Sequence, residues 1–371
     1  MEIIGLIAEY NPFHNGHLYQ LQEIKKLYPD SLIILVLNGY FLERGTVSVE
    51  TKEEKTKLAL KYGVDIVIEL PFVFGTNSAD IFAESSLELL NNLSINKLVF
   101  GSESNEIEKL KSIAKKQLDK SFDEKVKIYL DEGINYPTAL NKALGTVLNE
   151  PNDLLGVSYI KAIYKNKYDI EPISIKRTND YHDIESDESI VSASNIREKL
   201  KENKNIEKYI PEGKLVNINE KLLFNILKYK ILTDNHLDEY LSVDEGLDNR
   251  LKKVINDVNS IEELVNAIKT KRYTYNRLMR MLIHVLIGLT KEDKLKLQNN
   301  EYIRILGLNS NGQSYLNKIK KNIHLPLTSK ITNINSKIKD YELRAASIYE
   351  LLTNINVLEF EYSNKPIKID K

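Results

Sequence analysis

Short apolar runs recur along the first hundred residues: 3–7 (IIGLI), 32–37 (LIILVL), 66–70 (IVIEL) and 97–100 (KLVF). Each has the length of one strand, and the unbroken run at 32–37 suits a strand covered on both faces by other elements. Helical periods lie between them. One starts near His17 with Leu18, Leu21 and Ile24 on one face, one spans 52–62 with Leu58 and Ala59 turned inward, and one spans 78–93. Thr51 is placed to cap the second. Further helices are predicted over 106–127, 137–148 and 154–164, then a fifth strand over 170–176. Strands and helices alternating in this way predict a doubly wound α/β domain on a parallel sheet.

A polar, acidic stretch over 179–190 reads as a loop, and Ser192 or Ser194 can cap a helix running to about 203. Beyond Pro211 glycine and strand-like runs thin out and helical patterns dominate. This predicts an α/β domain over 1–205 and a mainly α-helical C-terminal domain over 206–371. A length of 371 residues allows each its own core. The 52 Lys and Arg nearly balance the 53 Asp and Glu, so any nucleic-acid surface must be local. With no cysteine, disulfide frameworks and thiol chemistry are excluded. No basic leader opens the chain, and the longest apolar runs, such as 281–289, fall short of the ~20 residues of a membrane span. A cytoplasmic protein without a membrane partner is expected.

The turn after the first strand carries the strongest chemical signal. Asn11 and Pro12 end the strand, and His14-Asn15-Gly16-His17 opens the first helix. Ligands of open parallel sheets sit at the carboxyl ends of strands, and helix N-termini attract phosphate. Two imidazoles there can hydrogen-bond phosphate oxygens as charge builds on them. An H-x-x-H pair also reads as two surface histidines or as part of a metal site. The remaining histidines (His182, His236, His284, His324) are scattered, however, and no metal site is predicted.

Other candidates lie along the same sheet edge. Arg44 and Lys52 follow the second strand, where basic residues meet a triphosphate or are simply solvated. Gly101 ends the fourth strand and permits close backbone approach, Asn152 starts a helix, and Arg177 follows the fifth strand. Ser194 and Arg197 lie in a Ser-x-Ser-x-x-Arg segment, either a plain helix start or a loop closing over phosphates. Far downstream, 269–280 (KTKRYTYNRLMR) joins basic residues with Tyr273 and Tyr275 and no acid. Lys271, Arg272, Arg277 and Arg280 there suit an RNA backbone beside stackable bases.

His14–His17 resembles the HIGH motif of the nucleotidyltransferase superfamily. Taken with FLERG, VDIVIELPF, ADIFAES, FGSE, GVSYIKAI, SIKR, SASNIR and KRYTYNRLMR, the stretch GLIAEYNPFHNGHLYQ extends the likeness over essentially the whole chain. The chain is similar to bacterial tRNA(Met) cytidine acetate ligases. That resemblance implies a Rossmann-like fold and an ATP-dependent ligase with acetate and elongator tRNA(Met) as partners. Acetate is activated to acetyl-adenylate and its acetyl group passed to the exocyclic amine of the wobble cytidine. ATP is a substrate, and magnesium is an allowed companion that no residue pattern places.

The implied nucleotide contacts are Ile7, Ala8, Glu9, Tyr10, Asn11, Pro12, Phe13, His14, Asn15, Gly16, His17, Leu18, Tyr19, Gln20, Gly101, Asn152 and Arg177. The implied roles put His14 and His17 on the α-phosphate, Gly101 and Asn152 against adenine or ribose, and Arg177 with Ser194 and Arg197 on the phosphate chain. One departure stands out at 51–55 (TKEEK), where family members more often carry an aromatic and an arginine, so the role of Lys55 is open. Two other functions use the same motifs: an adenylyltransferase acting on a phosphorylated small molecule, and a non-catalytic RNA-binding protein on a nucleotidyltransferase scaffold.

Overall fold

Alternate residues of the run LIILVL enter different cores. Leu32, Ile34 and Val36 join one apolar cluster, while Ile33, Leu35 and Leu37 join another. A strand puts successive side chains on opposite faces, so a run apolar throughout marks a sheet covered on both sides. In the computed structural model, which describes residues 1–177, 189–363 and 365–369, this run is β2 (Leu32–Asn38), buried at every position.

The first part of the chain alternates as its sequence predicts. β1 (Ile3–Ala8), α1 (Asn15–Leu27), β2, α2 (Lys52–Lys61) and β3 (Ile66–Leu70) are followed by a short α3 (Phe72–Gly75) and by α4 (Ala79–Asn92). Then come β4 (Lys97–Ser102), α5 (Ile107–Gln117), α6 (Lys120–Asp131), α7 (Tyr136–Leu144), α8 (Pro151–Asn166), β5 (Glu171–Lys176) and α9 (Ala193–Lys201). Thr51 caps α2, its hydroxyl accepting from Glu54 N at 3.1 Å. The single helix expected over 106–127 is two. Asp119 accepts from Ser121 N at 2.9 Å, and that cap starts α6 in place of a continued α5. The loop read over 179–190 falls mostly outside the described residues.

β1 to β5 are parallel, in the order β5-β4-β1-β2-β3. The chain moves from β1 to β2 and β3 on one side, then returns to place β4 and β5 on the other. β1 therefore flanks the switch point, where two loops part and leave a crevice.

The helix-rich part contributes α10 (Glu220–Thr233), α11 (Leu247–Val254), α12 (Ile261–Ile268), α13 (Tyr275–Ile287) and α14 (Lys291–Lys296). It also supplies β6 (Ile303–Leu308), α15 (Ser310–Ile319), β7 (Leu327–Thr328), α16 (Lys337–Thr353), α17 (Leu358–Tyr362) and β8 (Ile367–Lys368). β6 pairs antiparallel with β3, and β7 and β8 pair with β6, so residues beyond 205 extend the sheet. One apolar cluster also runs from a sheet face, through Leu87 and Ile160, to Leu282 and Tyr349. No helix among the described residues is long and apolar enough to cross a membrane.

Candidate active site

The loop from β1 to α1 is fixed by groups remote in sequence. Phe13 N donates to Glu50 Oε2 at 2.8 Å, and Val49 N donates to Asn11 Oδ1 at 2.8 Å. Asn15 Nδ2 donates to the carbonyls of Ser189 and Lys208, each at 2.8 Å. Tyr10 is held at a φ of 47°, which an aromatic residue adopts only under such constraint. Lys55 Nζ donates to the carbonyls of Glu9, Asn38 and Gly39 at 2.9, 2.8 and 2.7 Å. Burial pulls the Lys55 pKa down to about 7. Its ammonium spends its three donors on backbone, so Lys55 clamps the ends of β1 and β2 and leaves no donor for a phosphate.

The histidine pair is set by the same backbone. His14 caps α1, its Nδ1 accepting from Gly16 N at 3.0 Å, and His17 Nδ1 accepts from His14 N at 3.2 Å. A backbone N–H only donates, so both Nδ1 atoms are bare and each neutral ring carries its proton on Nε2. The ring centroids lie 3.9 Å apart. Burial, with Arg177 and Arg197, lowers the His14 pKa to about 3, and burial, His14 and Arg177 hold His17 well below the usual imidazole value. At neutral pH the pair is two uncharged Nε2–H donors. Gly16 is required by this geometry: a Cβ there would lie 2.8 Å from His14 Cε1 and 2.9 Å from Nδ1.

Facing the histidines are two arginines brought from distant segments. Arg177 follows β5, its N bonded to Ser102 O at 3.0 Å. Among the described residues its buried Nε has no hydrogen-bond partner, and the Glu103 carboxylate lies 3.9 Å away. A guanidinium left in that state is prepared for an anion. Arg197 donates to Asn11 O at 2.7 Å and Ser194 Oγ at 3.1 Å, while Ser192 caps α9 through Asn195 N at 3.2 Å. Asn152 begins α8 with its backbone and side-chain N–H groups on Glu103. A Cβ on Gly101 would make only ordinary contact, 3.4 Å from Arg177 Cγ, so packing alone does not demand that glycine.

These groups surround one cavity of about 230 Å³. From the β1–α1 stretch it is lined by Ile7, Ala8, Glu9, Tyr10, Asn11, His14, Gly16, His17, Tyr19 and Gln20. Gly101, Asn152, Arg177, Ser194, Arg197 and Arg44 line it too. Pro12, Phe13, Asn15 and Leu18 do not. Phe13 turns into the core between Tyr10 and Tyr62, ring centroids 4.8 and 5.4 Å away, and Asn15 is taken up by its loop bonds. Sequence reading missed Glu43, Thr46, Phe82, Tyr159 and Lys176 as lining residues. The FLERG segment was a signal for Glu43, which adjoins Arg44 on the same turn.

Lys52 is a correction, because it is fully buried away from this cavity. Its Nζ meets Glu69, Glu342 and Glu361 at 2.5, 2.7 and 2.8 Å, and Arg304 from β6 bonds Glu69 at 3.0 Å and also Glu361. Three carboxylates share two cations. Burial pushes Glu342 up to about 7; for Glu361, Arg304 and Lys52 outweigh burial and hold it down at about 2. Lys52 thus joins the sheet to α16 and α17.

The basic segment 269–280 is differently disposed from its reading as an RNA surface. Tyr273 is 5 % exposed and its hydroxyl donates to Glu245, so it has no face free for stacking. Arg277 pairs with Asp244 at 3.3 Å and Arg272 with Glu245 at 2.9 Å. Arg280 is turned inward onto Glu43 Oε1 at 2.9 Å. Lys271, Arg272 and Tyr275 remain on the surface.

A sequence profile described as HIGH Nucleotidyl Transferase matches residues 1–365. Curated relatives named tRNA(Met) cytidine acetate ligase include one from Geobacillus sp. (strain WCH70), 38% identical over 99% of this chain and 100% of that protein. Another from Fusobacterium nucleatum is 39% identical over 98% of this chain and 97% of that protein. The chain belongs to the tRNA(Met) cytidine acetate ligase family of HIGH nucleotidyltransferases. Among solved structures, apo Thermotoga maritima TmcAL superimposes with a TM-score of 0.89 at 27% identity, each chain covered completely. The same protein bound with alpha-thio ATP gives 0.86 at 25% identity, again over both full chains. The family's HIGH sequence stands here as His14-Asn15-Gly16-His17, with the backbone-fixed imidazoles just described.

Proposed function

We propose that this chain is an ATP-dependent acetate ligase that acetylates the exocyclic amine of the wobble cytidine of elongator tRNA(Met). An acetate oxygen attacks the α-phosphorus of ATP, the bond to the β-phosphate bridge breaks, and pyrophosphate leaves. The cytidine amine then displaces AMP from acetyl-adenylate. The observation that carries this reading is the pair of neutral Nε2–H donors at the N-terminus of α1, opposite Arg177, whose Nε has no hydrogen-bond partner among the described residues.

His14 and His17 donate to α-phosphate oxygens as charge accumulates in the transition state, with the dipole of α1 behind them. Arg177 and Arg197, with Ser194, hold the phosphate chain. Gly101 leaves room for the nucleoside, and Asn152, with its N–H groups taken by Glu103, borders it. Lys271 and Arg272 are the basic groups we assign to tRNA phosphates. Acetate, tRNA(Met) and cytidine as substrates are supported by the names of the relatives, and ATP by the alpha-thio ATP complex of a structural neighbour. A cytoplasmic location goes with these substrates. Among the described residues no group of three or more His, Asp or Glu side chains is placed to hold a metal ion, and no step is assigned to one.

Acetate-dependent exchange of labelled pyrophosphate into ATP tests the first half-reaction. Exchange with acetate alone, absent without it, is the expected result. Exchange that needs a phosphorylated metabolite in place of acetate would favour the small-molecule adenylyltransferase, and no exchange would favour the RNA-binding scaffold.

A further inference from the structure

The cavity carries both signs of charge. On its β4–β5 side stand Arg177 and Lys176, with Gly101 and Asn152, while on its β2 side stand the carboxylates of Glu9 and Glu43 beside Arg44. Glu9 directly follows β1, beside Asn38, which closes β2. Its Oε1 accepts from Asn38 Nδ2 at 3.1 Å and Glu43 N at 2.6 Å, and its carbonyl is held by Lys55 Nζ at 2.9 Å. A carboxylate has the wrong sign for a triphosphate. Glu9 lies in the stretch expected to bind nucleotide, but its charge sets it apart from the phosphate contacts.

Acetyl transfer to an amine must dispose of a proton, and the imidazoles do not qualify to receive it. Both Nδ1 lone pairs are occupied by backbone N–H groups, and both Nε2 atoms are already protonated. Glu43 has an oxygen tied to the Arg280 guanidinium at 2.9 Å. Among the described residues the hydrogen bonds to the Glu9 carboxylate come from neutral amides, which orient it, with Arg197 and Lys55 nearby but not bonded to it in those contacts.

We propose that Glu9 is the catalytic base of the transfer step, accepting a hydrogen bond from the exocyclic N4 amine of the incoming cytidine and then its proton. The inference rests on the acetate-ligase reading above. A carboxylate is the complementary partner of cytosine N4, so the same contact helps select the base. Cytosine N4 is a weak nucleophile because its lone pair is delocalised into the ring, and hydrogen bonding to a carboxylate raises its electron density. In the step itself N4 attacks the carbonyl carbon of acetyl-adenylate. The N–C bond forms, the bond from that carbon to the AMP phosphate oxygen breaks with its electrons leaving on AMP, and the N4 proton passes to Glu9.

The test compares wild type and Glu9→Gln in acetate-dependent pyrophosphate exchange, in acetyl transfer to tRNA(Met), and in acetyl transfer to hydroxylamine. Hydroxylamine captures the activated acetyl group without a protein base. The ratio of tRNA transfer to exchange is expected to fall about 100-fold or more, the range of a lost general base, while the ratio of hydroxamate to exchange keeps its wild-type value. An unchanged tRNA ratio overturns the assignment. So does loss of exchange together with transfer in a variant that still melts cooperatively at the wild-type temperature, since that would place Glu9 in the adenylation step. A wild-type protein that exchanges no pyrophosphate and acetylates no cytidine refutes the ligase reading instead, before Glu9 is in question.

Discussion

Gly16 N donates to His14 Nδ1 at 3.0 Å, and a Cβ on Gly16 would sit 2.8 Å from Cε1 of the same ring. The bond fixes which nitrogen of His14 carries a proton, and the missing side chain gives the ring its place. Gly16→Ala should therefore displace the imidazole while keeping its chemistry in the protein. Acetate-dependent pyrophosphate exchange is expected to drop by about one to two orders of magnitude. His14→Ala, which deletes the donor, should cost roughly a hundredfold or more. Equal rates for Gly16→Ala and wild type would show that the ring does not depend on this contact.

The proposed mechanism uses both imidazoles neutral, and burial lowers their pKa, that of His14 to about 3. Unfolded histidine takes up a proton near pH 6.5. Between that value and the lower folded one, the unfolded chain binds more protons, so stability should fall as pH drops through about 6.5. Thermal melts of wild type and His14→Gln from pH 8 to 5 check this, with the variant showing the shallower loss. The exchange rate should carry no imidazole limb between about pH 5.5 and 8.

Lys52 holds Glu69, Glu342 and Glu361 where no water reaches. Lys52→Met would leave the three buried carboxylates with Arg304 as their one cation among the described residues, and removing one partner from such a set costs roughly 3–5 kcal/mol. Denaturant unfolding measures it. A variant as stable as wild type would contradict the role given to this network.

Gly45, at a φ of +74°, brings the 41–47 loop against α13, where a Cβ would lie 2.4 Å from Arg280 N. Gly45→Ala combines a strained backbone with a collision against main chain and should destabilise by about 2 kcal/mol. Because Glu43 and Arg44 line the cavity from that loop, catalytic turnover should fall as well.

Local pattern made most of the sheet legible. IVIEL is β3 with the bounds its sequence suggests, and Thr51 caps α2 as expected. His14, Gly16 and His17 were legible because strand, turn and helix start lie within twenty residues. Lys52 was not, because two of its partners lie about 300 positions away and nothing near it announces burial. β6 (IRILGL) escaped notice within a helical stretch, since its Arg304 breaks the apolar run and its partners, Glu69 and Glu361, lie far from it in sequence. Tyr273 looked available for stacking because its neighbours are basic; instead its ring joins the apolar core and its hydroxyl donates to Glu245 of another loop.

The most direct measurement is mass spectrometry of nucleosides from tRNA(Met) incubated with the protein, ATP and isotope-labelled acetate. The account predicts labelled acetylcytidine at the wobble position, lost with His17→Ala. Unlabelled cytidine with wild-type protein, or label in a stable adenylylated small molecule, would contradict it.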